Sequence, residues 1–145
     1  MTTSQSDPGA RLLSAVSRLN RWATRHADLQ IPPAQARLLS LIDSIGPARI
    51  GELAEADHCS QPTMSTQVQR VESAGWASRT DDPSDRRASM IELTDEGRDV
   101  LNEVRAARHR AVADVFATLT PAETAAVDQA TTVIEKFVAR SESTK

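Results

Sequence analysis

The stretch that decides the fold lies at residues 50–97 and reads IGELAEADHCSQPTMSTQVQRVESAGWASRTDDPSDRRASMIELTDEG. Apolar spacing in its first part predicts a short helix from Ile50, a turn at residues 57–59 and a second helix after Ser60. The Ser60 hydroxyl suits the N-cap of that second helix, and Gly75 suits its C-terminal end. A short helix, a tight turn and a second capped helix are typical of a helix-turn-helix.

A β-hairpin is predicted directly after this motif. Residues 76–80 (WASRT) and 88–93 (ASMIEL) have the composition of short strands, and the segment between them, DDPSDRR, is polar and turn-forming. The hairpin would carry an exposed tip at that segment. In this position, next to a helix-turn-helix, such a hairpin is a wing.

Helices are predicted on both sides of the deciding stretch. Apolar residues recur every three or four positions over residues 9–27, and a second helix starts at Pro32-Pro33 and ends at Gly46-Pro47. Thr94 suits the N-cap of a long helix after the hairpin, and Thr120 with Glu123 forms a capping box for the last one.

The predicted fold is mainly α with a small β-hairpin wing. A winged helix-turn-helix would occupy residues 31–95, with an N-terminal helix in 1–30 and two C-terminal helices in 96–145. The outer helices carry long apolar stripes. They could cover the central module within one chain, or they could pair with their copies across a two-fold axis, and we favour a homodimer.

Charge gives no general indication of a nucleic-acid partner. The 145 residues carry a net charge of −3, and no long segment is strongly basic. Residues 1–45 sum to +2 (five Arg, three acids), residues 46–94 to −3 (five, eight) and residues 95–145 to −2 (seven basic, nine acidic). A DNA-binding surface therefore has to come from local placement of charge.

The second helix of the motif has such a local pattern. Residues 60–71, SQPTMSTQVQRV, contain no acidic residue and one Arg. Met64, Val68 and Val71 fall on one face, which leaves hydroxyls, amides and a guanidinium to point outward. Such groups bond to base edges and phosphates in a major groove, although an ordinary solvated helix is the plainer alternative. The candidates are Ser60, Gln61, Pro62, Thr63, Ser65, Thr66, Gln69 and Arg70.

The predicted wing offers a second set of DNA contacts. Arg86 and Arg87 follow Asp85 at the hairpin tip, and Arg79 lies on the first strand. An Arg on a thin ribbon fits a narrow minor groove, where negative potential is concentrated. We expect Asp85 to orient one guanidinium through an ion pair. A solvated loop is the alternative interpretation of the same residues.

No enzyme signature is found in the sequence. GxSxG and GxGxxG motifs are absent, and Glu52 stands where the glycine spacing of a P-loop would need Lys. His26, His58 and His109 lie in different elements, and Cys59 is the single cysteine. We therefore expect no catalytic site, no metal and no cofactor.

The sequence also gives an expectation for localisation. No apolar run approaches the roughly 20 residues that span a bilayer. The first ten residues, MTTSQSDPGA, lack the basic and then apolar layout of a secretion signal. A cytoplasmic protein without membrane contact is expected.

These motifs together resemble the MarR family of winged helix-turn-helix transcriptional regulators. The resemblance rests on IGELAEA at 50–56, PPAQARLLSLI at 32–42 and one spaced series of residues. That series is Glu72, Gly75, Arg79, Asp85, Arg87, Leu93, Thr94 and Gly97.

The resemblance implies a homodimer with interlocked terminal helices that binds an inverted-repeat operator, most often as a repressor. By the same resemblance, Arg87 matches the minor-groove Arg of the wing, Asp85 its acidic partner and Arg70 a phosphate contact. The sequence departs from the family pattern at Thr66, where Arg is common, and at Gln67, which is usually apolar.

Many members of this family are released from DNA by small aromatic acids. The candidate binding residues here are Trp22, Arg25, His26 and Arg37, which offer aromatic and cationic groups to an anion. The plainer alternative places Trp22 in the core and leaves the arginines in solvent. A different class of function, a winged-helix module that binds protein and not DNA, is consistent with the acidic total charge.

Overall fold

The computed structural model describes residues 7–142, with side chains to residue 140, and within these residues it has six helices and one hairpin. The predicted fold class, mainly α with a hairpin wing, is confirmed. Expectations for residues 1–6 and 143–145, including the outer ends of the predicted terminal segments, lie outside the described residues. The elements are α1 (Pro8–His26), α2 (Pro33–Ile45), α3 (Ile50–Ala56), α4 (Gln61–Ser73), β1 (Ala77–Asp82), β2 (Asp85–Leu93), α5 (Asp95–Phe116) and α6 (Pro121–Glu142).

The predicted helix caps are confirmed by their hydrogen bonds. The Ser60 hydroxyl accepts from the backbone N–H of Thr63 at 3.2 Å, which satisfies one donor of the first turn of α4. At the start of α6, Glu123 accepts from the Thr120 N–H at 2.8 Å and donates its own N–H to the Thr120 hydroxyl at 3.2 Å. This reciprocal pair is the capping box expected from the sequence.

The turn between α3 and α4 depends on a left-handed residue. His58 has φ 53°, an uncommon value for a residue with a β-carbon. The backbone N–H of Cys59 then donates to the carbonyl of Ala54 at 3.0 Å, and the half-buried Cys59 packs against the core. These contacts fix the angle between the two helices of the motif.

The core lies in the winged helix-turn-helix. Ala48 exchanges two backbone hydrogen bonds with Ile91, which ties the α2–α3 connection to β2. The predicted stripe of α4 is fully buried. The most buried large side chains are Leu38, Leu39, Ile42, Leu53, Met64, Val68, Val71, Ile91 and Leu101.

The hairpin is longer than the sequence predicted. β1 and β2 continue through the polar segment and leave only Pro83 and Ser84 between them. Arg86 and Arg87 therefore lie on strand β2 and not in a loop, which corrects the sequence-based prediction. The polar composition was misleading because this part of the hairpin extends beyond the apolar core, and residues 83–87 are exposed to solvent.

A tight junction joins the hairpin to α5. The Thr94 hydroxyl donates to the Gly75 carbonyl at 2.6 Å, and the Thr94 N–H donates to the Trp76 carbonyl at 3.1 Å. A β-carbon added at Gly97 would lie 1.9 Å from the Trp76 carbonyl oxygen. Only glycine allows the first turn of α5 to approach the base of the wing so closely.

The apolar faces of the terminal helices stay exposed on the single chain. On α1 only Ala23 is buried, while Val16 and Leu19 are 44% and 45% exposed. On α5, Leu101 and Val104 are buried, but Val115 is 48% exposed. None of the described side chains of α6 is buried. Within one chain, the first half of α5 packs on the central module through Leu101, whereas the apolar stripes of α1 and α6 do not cover it.

Candidate nucleic-acid interface

Helix α4 presents an exposed polar face next to the hairpin. Its exposed side chains include Gln61, Thr66, Gln69 and Arg70, while Ser65 is half-buried. The apolar face of the same helix is fully buried, so the helix orientation is fixed by the core. This face is a polar ridge without acidic side chains over residues 60–71.

Several hydroxyls of this ridge already have partners within the helix. The Ser60 hydroxyl shares a 2.8 Å hydrogen bond with that of Thr63, and the Thr66 hydroxyl donates to the Pro62 carbonyl at 3.0 Å. Their lone pairs remain able to accept from a base or a bound water. Amides and guanidinium groups on this face thus have more freedom to adapt than its hydroxyls.

Gln61 is positioned by a residue that the sequence analysis did not single out. A β-carbon at Gly51 would meet the side-chain nitrogen of Gln61 at 3.1 Å, so the amide lies directly over the backbone of α3. A glycine early in a predicted helix was the available signal. A side chain at position 51 would therefore press on the Gln61 amide, so glycine leaves it room there.

The wing carries two exposed arginines on β2. Arg86 and Arg87 are adjacent at an irregularity of the hairpin: Asp82 pairs with Asp85 and Asp81 with Ser89, so residues 86–88 have no paired residue on β1. The Asp85 carboxylate accepts from the Arg87 backbone N–H at 3.0 Å. Within the described residues Asp85 makes no ion pair with Arg87, contrary to the sequence-based expectation, because this local backbone bond is within reach while the long guanidinium extends into solvent.

Near the hairpin turn, an ion pair is formed instead between Arg49 and Asp82. Nε of Arg49 donates to Oδ2 of Asp82 at 2.7 Å, and the terminal nitrogen Nη2 contacts the same oxygen. Oδ1 of Asp82 accepts from the Ser84 N–H at 2.8 Å and from the Ser84 hydroxyl at 2.7 Å. Sequence analysis missed Arg49 because it lies 33 positions before Asp82. The turn-forming Asp-Pro-Ser was visible, but its distant partner was not.

This environment changes the acidity of Asp82. The side chain of Asp82 is buried, with 5% of the residue exposed. The hydrogen bonds from the Ser84 hydroxyl and backbone, followed by that from Arg49, lower the pKa of Asp82 to about 2. The carboxylate is therefore charged at every pH at which the protein would work.

Arg79 is held to α4 by a two-pronged ion pair. Its Nε lies 2.8 Å from Oε1 of Glu72, and its Nη2 lies 3.1 Å from Oε2. The ion pair occupies Nε and Nη2 of Arg79 and so fixes the orientation of the guanidinium. The Arg79 side chain is still 43% exposed. Glu72 and Arg79 belong to the spaced series that carries the family resemblance.

An open cleft of about 610 Å³ separates the start of α3 from the hairpin. Arg49, Arg79 and Arg87 line it, together with the acidic residues Glu52 and Glu55. The cleft brings arginines from three segments next to Gln61. Arg49 and Arg79 are each paired with a carboxylate, whereas Arg87 has no described ion pair, so Arg87 is the arginine of this cleft with a guanidinium available to a partner.

The predicted ligand residues are not gathered around one cavity. The rings of Trp22 and His26 stack with centroids 4.3 Å apart, and Trp22 and Arg25 line a shallow depression on α1. Arg37 lies in another contact, where its Nη2 is 3.0 Å from Oδ2 of Asp57. The first three residues share a helix surface, while Arg37 links α2 to the turn of the motif.

A different cavity, of about 340 Å³, lies between residues 28–31 and α5. Its apolar lining includes Val104 and Ala107, which are buried. Four charged side chains also line this cavity, and all four residues are exposed: Asp28, Asp99, Glu103 and Arg110. With three carboxylates and one guanidinium, this cavity is negatively charged. A binding site for an aromatic acid is expected to be positively charged.

Fold and site together define a winged helix-turn-helix protein. Residues 31–89, which contain the motif and most of the wing, match the sequence profile of the MarR family. Within the described part of the chain, no helix has the length and apolar character that a membrane crossing requires.

Solved structures of similar proteins extend this match to the terminal helices. The chain is similar to the transcriptional regulator Tm0710 from Thermotoga maritima, with 27% identity and a TM-score of 0.72 over 94% of this chain and 97% of that one. It is similar to RV1404 from Mycobacterium tuberculosis, with 25% identity and a TM-score of 0.77 over 95% and 97%. Apo MarR from E. coli shares the fold, with 18% identity and a TM-score of 0.66 over 88% and 96%. The family match over residues 31–89 and these structural neighbours confirm the resemblance to MarR-family winged-helix regulators that was drawn from the sequence.

Proposed function

We propose that the protein regulates transcription, most simply as a repressor, by binding an inverted-repeat operator in double-stranded DNA as a homodimer. The observation that carries this proposal is the acid-free exposed face of α4 beside a wing with two exposed arginines. A helix of this kind fits a major groove, and an arginine on a thin hairpin fits the adjacent minor groove.

The contacts divide by chemistry. Gln61, Thr63 and Gln69 would read base edges, because amides and hydroxyls can donate and accept. Arg86 and Arg87 would serve the minor groove, and the remaining candidates would hold the backbone or the start of the helix. Those are Ser60, Pro62, Ser65, Thr66, Arg70, Arg79 and Asp85.

The homodimer is supported by the exposed apolar faces of the outer helices. Val16 and Leu19 on α1 and Val133 on α6 are 44–47% exposed in the single chain. A soluble protein seldom leaves such stripes in water, and a second copy of the same helices would cover them. We assign dimerisation to residues 1–30 and 96–145, and DNA binding to residues 31–95. A two-fold axis then places two recognition helices on an inverted repeat.

Selection of bound fragments from random DNA tests this function. Enrichment of an inverted repeat, with half-sites about one helical turn or a multiple of it apart, is the expected result. Affinity for the selected site should fall with salt, at a slope of about −0.9 per phosphate neutralised. If no fragment is enriched, the rival function of a protein-interaction module, which the net charge of −3 suits, is favoured instead.

An effector would have two separate places to bind, and their charges select different ligands. The face with Trp22 and Arg25 suits a small aromatic anion, whereas the 340 Å³ cavity with its three carboxylates suits an organic cation. Operator affinity should be measured while the protein is titrated with salicylate and, separately, with a lipophilic amine. The compound that changes the affinity shows which of the two places binds the effector. Linkage makes the effect reciprocal: the effector lowers the affinity for the operator by a certain factor, and the operator lowers the affinity for the effector by the same factor.

A further inference from the structure

We propose that Arg49 is a positioning residue for the wing: through Asp82 and Ser84 it fixes the hairpin turn against the start of α3, and so sets where Arg86 and Arg87 meet DNA. The inference rests on the proposed DNA-binding function and names a residue outside the contacts assigned there. The cluster of Arg49, Asp82 and Ser84 is called the wing clamp below.

The wing clamp is anchored on the side of the helix-turn-helix. The backbone N–H of Arg49 donates to Oε2 of Glu52 at 2.7 Å, which fixes the residue at the first turn of α3. From this fixed backbone, the side chain reaches the end of β1. Its Nη2 also donates to the Ser84 hydroxyl at 3.3 Å. One guanidinium thus holds both the last residue of the strand and the turn after it.

The hairpin needs such an anchor because its own core contacts lie at the base. Ala77, Ile91 and Leu93 are buried there, whereas residues 83–87 at the other end are all exposed. A two-stranded hairpin is only marginally stable by itself, so its outer half is free to bend unless something holds it. Near the turn, the described contact back to the helices is the one made by Arg49.

Burial separates the wing clamp from an ordinary surface ion pair. The Asp82 side chain is 6% exposed, compared with 35% for Asp43 on α2, which pairs with Arg105 on α5 at 2.7 Å. A shielded carboxylate with all its oxygens bonded holds its partners more firmly than one in solvent. The pair of Arg105 and Asp43 therefore supplies a matched control.

A direct contact between Arg49 and a phosphate is the competing explanation, since its side chain is 44% exposed. The variant Asp82→Asn separates the two roles by the sign of its effect. Asparagine keeps an oxygen for Ser84 but loses the charge that holds Arg49. If Arg49 acted by charge alone, removing a nearby acid would tighten DNA binding. If Arg49 positions the wing, the same change weakens it.

The experiment uses the full-length protein and the operator selected from random DNA. Arg49→Met and Asp82→Asn should each weaken binding by about tenfold and reduce the preference for A·T pairs beneath the wing, with the salt slope unchanged. Arg105→Met should leave all three quantities as they are. Tighter binding by Asp82→Asn, or a slope reduced by about 0.9 in Arg49→Met, would overturn the positioning role.

Hydrogen exchange without DNA tests the wing clamp independently of the proposed function. The Ser84 N–H, bonded to Asp82 at 2.8 Å, and the amides of residues 85–87 should exchange faster in both clamp variants than in Arg105→Met. Equal exchange in all proteins would refute the inference even if the operator is bound. Conversely, faster exchange in a protein that binds no DNA would refute the proposed function and leave the wing clamp intact. Asp82→Asn keeps the test decisive if Arg49→Met does not fold.

Discussion

The winged helix-turn-helix, here called the lobe, and the terminal helices α1 and α6 differ in how their apolar side chains are packed. In the lobe, residues such as Leu53 and Ile91 are completely buried within one chain, and polar side chains tie its elements together. The helices α1 and α6 are just as regular, yet their apolar residues face solvent. The lobe is complete by itself, while the terminal helices have the composition of an interface. Sequence periodicity is the same in both cases, so only the packing tells them apart.

The largest effect should come from truncating the lobe core. Leu53→Ala removes a fully buried side chain and should cost about 2–5 kcal/mol, because it leaves a cavity that the surrounding helices cannot fill. Urea unfolding measures this loss, and we expect it to be the same at every protein concentration.

Val133→Ala on α6 is the matched change in the other region. Its effect should depend on protein concentration, since the lost contact lies between two copies. A loss that is equal at low and high concentration would show that Val133 packs within its own chain, and the contrast between the regions would be broken.

The junction of the two regions gives the next largest effect. Gly97→Ala would place a β-carbon 1.9 Å from the Trp76 carbonyl oxygen, so the first turn of α5 must move away from the wing. We expect a loss of about 3 kcal/mol in thermal or urea unfolding. Gly9→Ala is the control, since its β-carbon would meet nothing closer than 3.6 Å. Similar stability of the two variants would mean that the junction yields easily.

The wing should show the reverse pattern, with a functional effect and little change in stability. Arg87→Ala removes an exposed side chain, so the free energy of unfolding should stay within about 0.5 kcal/mol. Operator affinity should fall by about tenfold or more in a gel-shift titration. Arg110→Ala removes the same charge from α5 and should bind as the original protein does. Unchanged affinity of Arg87→Ala would remove this residue from the minor groove.

The smallest effect is the response of the lobe to acid. The pKa of Asp82 is about 2 in the folded protein, below the ordinary value of about 3.9 in an unfolded chain. Its contribution to stability is therefore complete above about pH 4 and is lost as the pH falls toward 2. As the pH is lowered from 5 to 2, the urea concentration at the unfolding midpoint should fall less for Asp82→Asn than for the original protein. An identical acid response of both proteins would contradict the lowered pKa.

What the sequence predicted well depends on short-range chemistry. The caps at Ser60 and Thr120 are confirmed because both partners of each hydrogen bond lie within three residues. The buried stripe of α4 is confirmed because helical periodicity alone defines it. The helix-turn-helix and the hairpin could therefore be placed without any tertiary information.

The features that were missed depend on distant parts of the chain meeting. Arg49 finds Asp82 across 33 positions, and Gly97 is required only because the Trp76 carbonyl lies above it. The extent of the hairpin was underestimated for a related reason. The register set at the buried base is interrupted between Asp81 and Asp82, and the strands pair once more at Asp82 and Asp85, which the polar composition of positions 81–87 does not reveal.

The close approach of α5 to the wing has a mechanical consequence. Because the Thr94 and Gly97 contacts attach the wing base to the first turn of α5, this helix of 22 residues acts as a stiff lever about 33 Å long. In the proposed homodimer, a tilt of this helix by about 5° about its far end would carry the attached wing through about 3 Å, given that length. A displacement of this size is comparable with one base-pair step of about 3.4 Å. Under the proposed function, a small change where the two copies meet would therefore move Arg86 and Arg87 out of register with the minor groove that they are proposed to enter.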